Sequence, residues 1–268
     1  MTLAEVLRGA TDYLAEKGVA SPRVDAELLL AHALGLQRIE LYTQHDRQLT
    51  SDERDRAREL VRRRGTREPL AYVLGSWGFR RIELQTDRRA LVPRPETEIV
   101  VERVLALIKE LPEPRVCDVG TGTGAIALSI AHEHSGARVT ATDLSADALA
   151  LAKENADRLG LLVDFRQADL VVDGGYDVVV SNPPYVEDAE LAALEPEVRD
   201  WEPREALVDQ GQTQRLIDEK AGRWLVLEVH EDKAFDVAAA LRNAGYADVL
   251  ITDDLAGKPR VVEGMWTQ

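Results

Sequence analysis

From residue 115 to residue 265, short apolar and β-branched runs alternate with longer amphipathic segments. This alternation constrains the fold more than any other feature. A strand that is followed by a helix and then another strand returns beside a parallel neighbour, and the helices cover the sheet faces. Strands are predicted near 115–119, 138–142, 163–166, 176–181, 223–229, 247–252 and 259–265, and helices near 123–134, 145–159, 189–199, 212–221 and 231–244. The pattern describes an α/β domain built on a mainly parallel sheet. In such sheets ligands sit outside the carboxyl ends of the strands.

The first third reads differently. Leu3, Val6, Leu7, Ala10 and Leu14 recur at helical spacing, Ser21-Pro22 opens a second helix that runs to Gly35, and Thr50 with Glu53 forms a capping box. Around Phe79, Ile82 and Leu84 the pattern becomes that of a short β-hairpin. The expected division is a helical domain over 1–76, a hairpin linker over 77–92 and an α/β domain over 93–268.

Charge follows the same division. The whole chain carries −15, yet residues 1–90 hold 16 basic and 14 acidic side chains, leaving −17 on the remainder. An acidic α/β domain is a poor match for a nucleic-acid backbone. The arginines between Arg54 and Arg67 form either a solvated helix face or a docking surface for an acidic or RNA-bound partner. The lone cysteine, Cys117, excludes an internal disulfide, and no zinc-type ligand cluster is evident. Without a signal-peptide pattern or a membrane-length apolar run, a cytoplasmic protein is expected.

Two strand ends carry the chemistry. Val116–Val119 runs into Gly120-Thr121-Gly122-Thr123-Gly124, a loop whose glycines permit a sharp turn and close approach of a ligand. The spacing also fits a dinucleotide fingerprint. Asp118 before the loop argues against a pyrophosphate, which favours helix N-terminal amides. It is instead set to accept from a cationic amine, pointing to S-adenosylmethionine, whose spent product is S-adenosylhomocysteine. Asp143, about 20 residues past the glycines, is positioned for ribose hydroxyls. Asp169 and Leu170 follow the third strand, where adenine would rest.

Past the fourth strand stands Asn182-Pro183-Pro184-Tyr185. An amide or aromatic amine is a weak nucleophile because its lone pair is delocalised. The Asn182 oxygen and the Pro183 carbonyl can accept from its two N–H groups, the rigid prolines hold the acceptors, and Tyr185 can stack on the flat group. Catalysis then comes from positioning and preorganised dipoles, with no metal required.

These residues resemble the HemK/PrmC family of protein-(glutamine-N5) methyltransferases. The resemblance runs through Arg67–Gly75, Leu91–Glu98, Asp118–Ala127, Ser181–Val186, Glu202–Arg204 with Ala206-Leu207, and Asp254–Lys258 with Arg260–Val262. The segment Pro93-Arg94-Pro95-Glu96-Thr97-Glu98 is the most particular to that family. The resemblance implies a Rossmann-like methyltransferase domain with a seven-stranded, mostly parallel sheet. It also implies a helical domain that docks class 1 peptide chain release factors and a substrate glutamine in a Gly-Gly-Gln loop. By motif position, Gly120–Gly124, Asp143, Leu170 and Asn182 contact the cofactor, and Asn182–Tyr185 the glutamine. Arg94 and Glu96 lie beside the pocket without an assigned role. The chain departs from the family between Asp209 and Trp224, which is short, and at Leu170, where an aromatic is usual. Its own Gln210-Gly211-Gln212 reads as a turn.

The main alternative is an adenine N6-methyltransferase acting on nucleic acid, since adenine offers the same planar NH2 group. It needs a basic groove and base-reading elements, which the acidic domain does not supply. A non-catalytic binder on the same fold fits poorly with an intact loop and clamp. A dehydrogenase lacks a hydride-transfer acid or base near the loop.

Overall fold

The computed structural model describes residues 1–171 and 173–267. The chain begins with α1 (Leu3–Glu16), α2 (Pro22–Leu34), α3 (Glu40–Thr43), α4 (Ser51–Gly65) and α5 (Leu70–Leu74), then the hairpin β1 (Ser76–Phe79) and β2 (Ile82–Gln85). There follow α6 (Thr97–Ile108), β3 (Arg115–Val119), α7 (Ala125–Glu133), β4 (Arg138–Asp143), α8 (Ala146–Leu159), β5 (Asp164–Gln167) and β6 (Tyr176–Ser181). The last elements are α9 (Pro196–Arg199), α10 (Gln212–Glu219), β7 (Gly222–Glu228), α11 (Ala234–Asn243), β8 (Ala247–Asp253) and β9 (Pro259–Met265). No helix among the described residues is long and apolar enough to cross a membrane.

Two compact units result. One comprises Met1–Ser76 together with Glu195–Trp201; the other comprises Trp77–Leu194 and Glu202–Gln268. In the first, Thr2 and Glu5 close a capping box on α1, and Thr50 and Glu53 do the same on α4, satisfying amides that a helix start leaves open. Leu3, Leu7, Leu14, Leu29, Leu30 and Leu41 meet in its core, each burial worth roughly 1.5–3 kcal/mol. Within that unit Arg64 bridges Asp25 (2.7 Å) and Glu197 (2.8 Å), and Arg67 reaches Glu197 (2.7 Å). These bonds recruit α9, more than a hundred residues further along the chain, to the helical unit.

The helix expected over 189–199 is broken. A 3-10 turn spans Asp188–Ala193 and α9 restarts at Pro196. Proline lacks the N–H an uninterrupted helix needs there and is tolerated only in a first turn.

The second unit carries a seven-stranded sheet in the order β5-β4-β3-β6-β7-β9-β8. β5 to β7 pair in parallel, while β9 runs antiparallel to both β7 and β8. Beyond Arg115, β3 is buried along its length, and β6 is buried except for half-buried Asp177, as a sheet covered on both faces requires. In the shortened Asp209–Trp224 stretch, α10 passes to β7 through Gly222, where a Cβ would lie 2.8 Å from Val179 Cγ2. The glycine lets the short connection close against β6.

Candidate active site

Strand order turns at β3, which has β4 and β5 on one side and β6 and β7 on the other. Register then sets the site. Val119 lies opposite Thr142 of β4 and Ser181 of β6, so the glycine loop, Asp143 and Asn182 emerge side by side. The Ser181 hydroxyl donates to the Val119 carbonyl at 2.7 Å and pins that alignment. A cavity of ≈ 440 Å³ opens over these ends, within the usual range of about 300–1,000 Å³ for ligand pockets. Gly120, Thr121, Gly122, Thr123, Asp143, Asp169, Leu170, Asn182, Pro183 and Pro184 all line it. Val92, Pro93, Arg94 and Thr97 close another wall.

The loop is held by the sheet beneath it. The Gly120 and Thr121 amides both donate to the Thr142 carbonyl at 2.9 Å. Gly120 has φ 72° and Gly122 φ 56°, a region that side chains rarely adopt. A Cβ on Gly120 would meet nothing within 4 Å, so a ligand can approach the bare backbone there. Gly124 acts differently. It does not line the cavity, and a Cβ on it would strike Leu128 Cδ1 at 2.8 Å, so it permits the packing of α7.

Asp118 is not where the sequence reading put it. It is 1% exposed and does not line the cavity. Its Oδ2 accepts from the Thr121 hydroxyl (2.6 Å) and the Ala127 amide (3.1 Å), so it braces the loop instead of meeting a ligand amine. Burial pushes its carboxyl up to about 7, and Oδ1 has no partner among the described residues.

Asp143 does line the cavity. Its Oδ2 accepts from the Gly122 amide and its Oδ1 from the Ser145 amide, both at 2.9 Å. Burial raises its pKa, with these amides pulling the other way. Each oxygen has a second lone pair, so hydroxyl donors can still be accepted. Asp169 is exposed and paired with Arg215 at 2.6 Å, a surface bond that is easily exchanged. Leu170 offers an apolar wall.

Asn182 is half-buried, and its Nδ2 donates to Thr97 Oγ1 at 3.3 Å. Tyr185 does not line this cavity but a second one of ≈ 250 Å³, with Glu228 and His230, its ring centroid 6.0 Å from that of His230. Arg94 is held by buried Glu202 at 2.6 Å, which also accepts from the Val92 amide (3.4 Å); Glu96 is exposed and does not line the cavity. The turn at Gln210–Gln212 has Gly211 at φ 83° capping α10. Thr97 and Glu228 were not singled out from the sequence. Thr97 lies within the Pro93–Glu98 segment and Glu228 ends β7, and only the fold brings them near Asn182.

Residues 5–75 match the family described as PrmC N-terminal domain, and residues 98–228 match the one described as Methyltransferase small domain. A release factor glutamine methyltransferase of Rhodopirellula baltica is 40% identical over 284 residues, covering 97% of this chain and 95% of that protein. The protein of the same name from Deinococcus radiodurans is 41% identical over 273 residues, covering 98% of each. Among solved structures, the N-terminal domain of human METTL16 in complex with SAH aligns with a TM-score of 0.53 at 17% identity, covering 69% of this chain and 76% of that one. That likeness speaks to the fold alone.

Proposed function

We infer the chemistry of this site from one premise: the chain belongs to the release factor glutamine methyltransferase family. It is an S-adenosylmethionine-dependent methyltransferase that acts on a glutamine of release factors. The finer reading is that the acceptor is the N5 amide of the Gly-Gly-Gln glutamine in class 1 factors, and that residues 1–76 dock the factor.

The cavity residues suit the cofactor. Gly120–Thr123 offer bare backbone, Asp143 keeps lone pairs for ribose hydroxyls, and Leu170 beside Asp169 supplies an apolar wall for adenine. Bound there, S-adenosylmethionine supplies a methyl carbon made electrophilic by its sulfonium charge.

The chain's own residues then handle the amide. The Asn182 oxygen and the Pro183 carbonyl accept from its two N–H groups, fixing its plane and favouring negative character on nitrogen as it gains the methyl carbon, whose bond to sulfur breaks, while one amide proton is lost to solvent. Pro183 is buried and Pro184 half-buried, so the backbone carbonyl is held in place. Tyr185 directly follows this clamp and is assigned as a substrate contact. The rate gain comes from orientation and fixed dipoles. The observation that carries the reading is the pairing of Val119 with Ser181, which seats the glycine loop beside Asn182.

The test incubates the protein with methyl-labelled S-adenosylmethionine and one of three acceptors: a class 1 release factor, the same factor with Gly-Gly-Gln changed to Gly-Gly-Ala, or duplex DNA. Label is expected on the intact factor only. Label on DNA and none on the factor would overturn the reading in favour of adenine methylation.

A further inference from the structure

We propose that the second cavity is a subsite for a basic side chain of the release factor, a lysine or arginine close in sequence to the methylated glutamine. The proposal rests on the glutamine reading above and extends it from the reacting amide to its surroundings. The cavity has a volume of ≈ 250 Å³, and Tyr185 forms part of its wall. Tyr185 stands three residues past Asn182, at most about 11 Å of chain. A substrate residue a few places from the glutamine spans that distance.

The walls suit both parts of such a side chain. Ile217, Val229 and Val237 line the cavity, the first two of them buried. They match the aliphatic stem that lysine and arginine lay along apolar surface. Tyr185 and His230 add aromatic rings, and the face of a tyrosine attracts a cation. Glu228 lines the same cavity at the end of β7. It is 1% exposed, and its Oε2 has no partner among the described residues. A buried carboxylate oxygen left alone is costly. An incoming ammonium or guanidinium group supplies both the missing donor and the opposite charge. Burial pushes this carboxyl up to about 7, and a cation beside it draws it back to the charged form.

The protein's own cations are committed elsewhere. Arg260 donates to Asp254 (3.3 Å) and to the Val229 carbonyl (3.4 Å), and Arg94 to Glu202 (2.6 Å). Lys233 lines the cavity but is paired with Glu187 at 2.9 Å. Asp209 and Asp236 add exposed carboxylates to the lining. With Lys233 and Glu187 cancelling, Asp209, Asp236 and Glu228 remain, and their field favours a positive guest. A bare metal ion fits less well, because no His, Cys, Asp or Glu group among the described residues is arranged to hold one.

The test changes each lysine and arginine near the Gly-Gly-Gln motif of the factor to methionine, one at a time. Methylation is then measured with the natural chain and with Glu228→Gln. One such change is expected to raise KM about tenfold, the scale of a hydrogen bond to a charged group. Turnover at saturation and calorimetric affinity for S-adenosylhomocysteine should not move. Glu228→Gln should raise KM for the unaltered factor by a similar ratio and be indifferent to that same change. Asp236→Asn, at an exposed position, leaves the core untouched and gives a second reading should Glu228→Gln not fold. It should raise KM about twofold, as for a surface charge. A KM that none of the basic residues moves, or losses that multiply in full when the two changes are combined, would overturn the subsite. An unaltered factor that takes no label would instead bring down the glutamine reading itself.

Discussion

The helical unit pairs its buried Glu27 and Asp25 with cations, whereas the methyltransferase unit pairs some buried acids, Glu202 with Arg94 and Glu263 with Arg103, and leaves two others without a cation among the described residues. In the helical unit, Glu27 is fully buried but receives Arg23 (2.5 Å), Arg38 (2.7 Å) and Tyr42 (2.5 Å), and buried Asp25 receives Arg64. Burial alone would raise Glu27, yet these donors outweigh it and its pKa is lowered. In the methyltransferase unit Asp118 and Glu228, both 1% exposed, are raised to about 7 by burial, and each carries one oxygen with no partner among the described residues. Paired acids hold helices together. Acids left short of partners at strand ends are a costly arrangement that packing alone does not call for. The contrast separates a scaffold from a site, and it can be tested.

The largest effect should come from breaking a pair in the helical unit. Arg64→Met leaves buried Asp25 without its cation, and such a loss typically costs about 3–5 kcal/mol. Hydrogen exchange should show loosening of α2 and α4, while cofactor affinity measured by calorimetry is unchanged. Unaltered protection in both helices would mean the ion pair is ornamental.

Next is Asn182→Ala in the methyltransferase unit. Turnover should fall by about 10²-fold or more, as for removal of a transition-state acceptor, with stability and cofactor binding nearly intact. A rate near that of the natural chain would place the clamp elsewhere.

A smaller loss is expected from Asp143→Ala. Its carboxylate both ties down the Gly122 amide and keeps lone pairs for ribose. Cofactor affinity should weaken about tenfold or more, in line with the loss of hydrogen bonds to a charged group. Equal affinity by calorimetry would remove Asp143 from the ribose site.

How much of this was legible in the sequence follows from range. The loop glycines, the strand-ending Asp143 and the clamp all depend on local pattern. The seven strands follow from periodicity with ends shifted by a residue or so, as at 164–167 and 222–228. Most of what escaped depends on long-range partners. Arg67 meets Glu197 at a separation of 130 residues, so no local pattern could assign α9 to the helical unit. Thr97 meets Asn182 across 85 residues. Asp118 was misread because its strand-end position was visible but its inward bonds to Thr121 and Ala127 were not.

The smallest effect is a difference in slope. A carboxylate raised in the folded state binds its proton more tightly there than when unfolded. The stability contributed by Asp118 and Glu228 is therefore fully present below their ordinary values, 3.8 and 4.5, and is lost as pH rises towards about 7. Glu27 is lowered from 4.5, so its contribution is present above that value and is lost as pH falls through the folded one. Hydrogen exchange, corrected for intrinsic rates, should show β3 and β7 loosening between pH 4.5 and 7 while α2 holds. Below 4.5 the order should reverse, with α2 loosening first. Asp118→Asn with Glu228→Gln removes the two titrating groups and should flatten the β3 and β7 slope alone. Parallel slopes in the two units would mean that their buried acids are not handled differently after all.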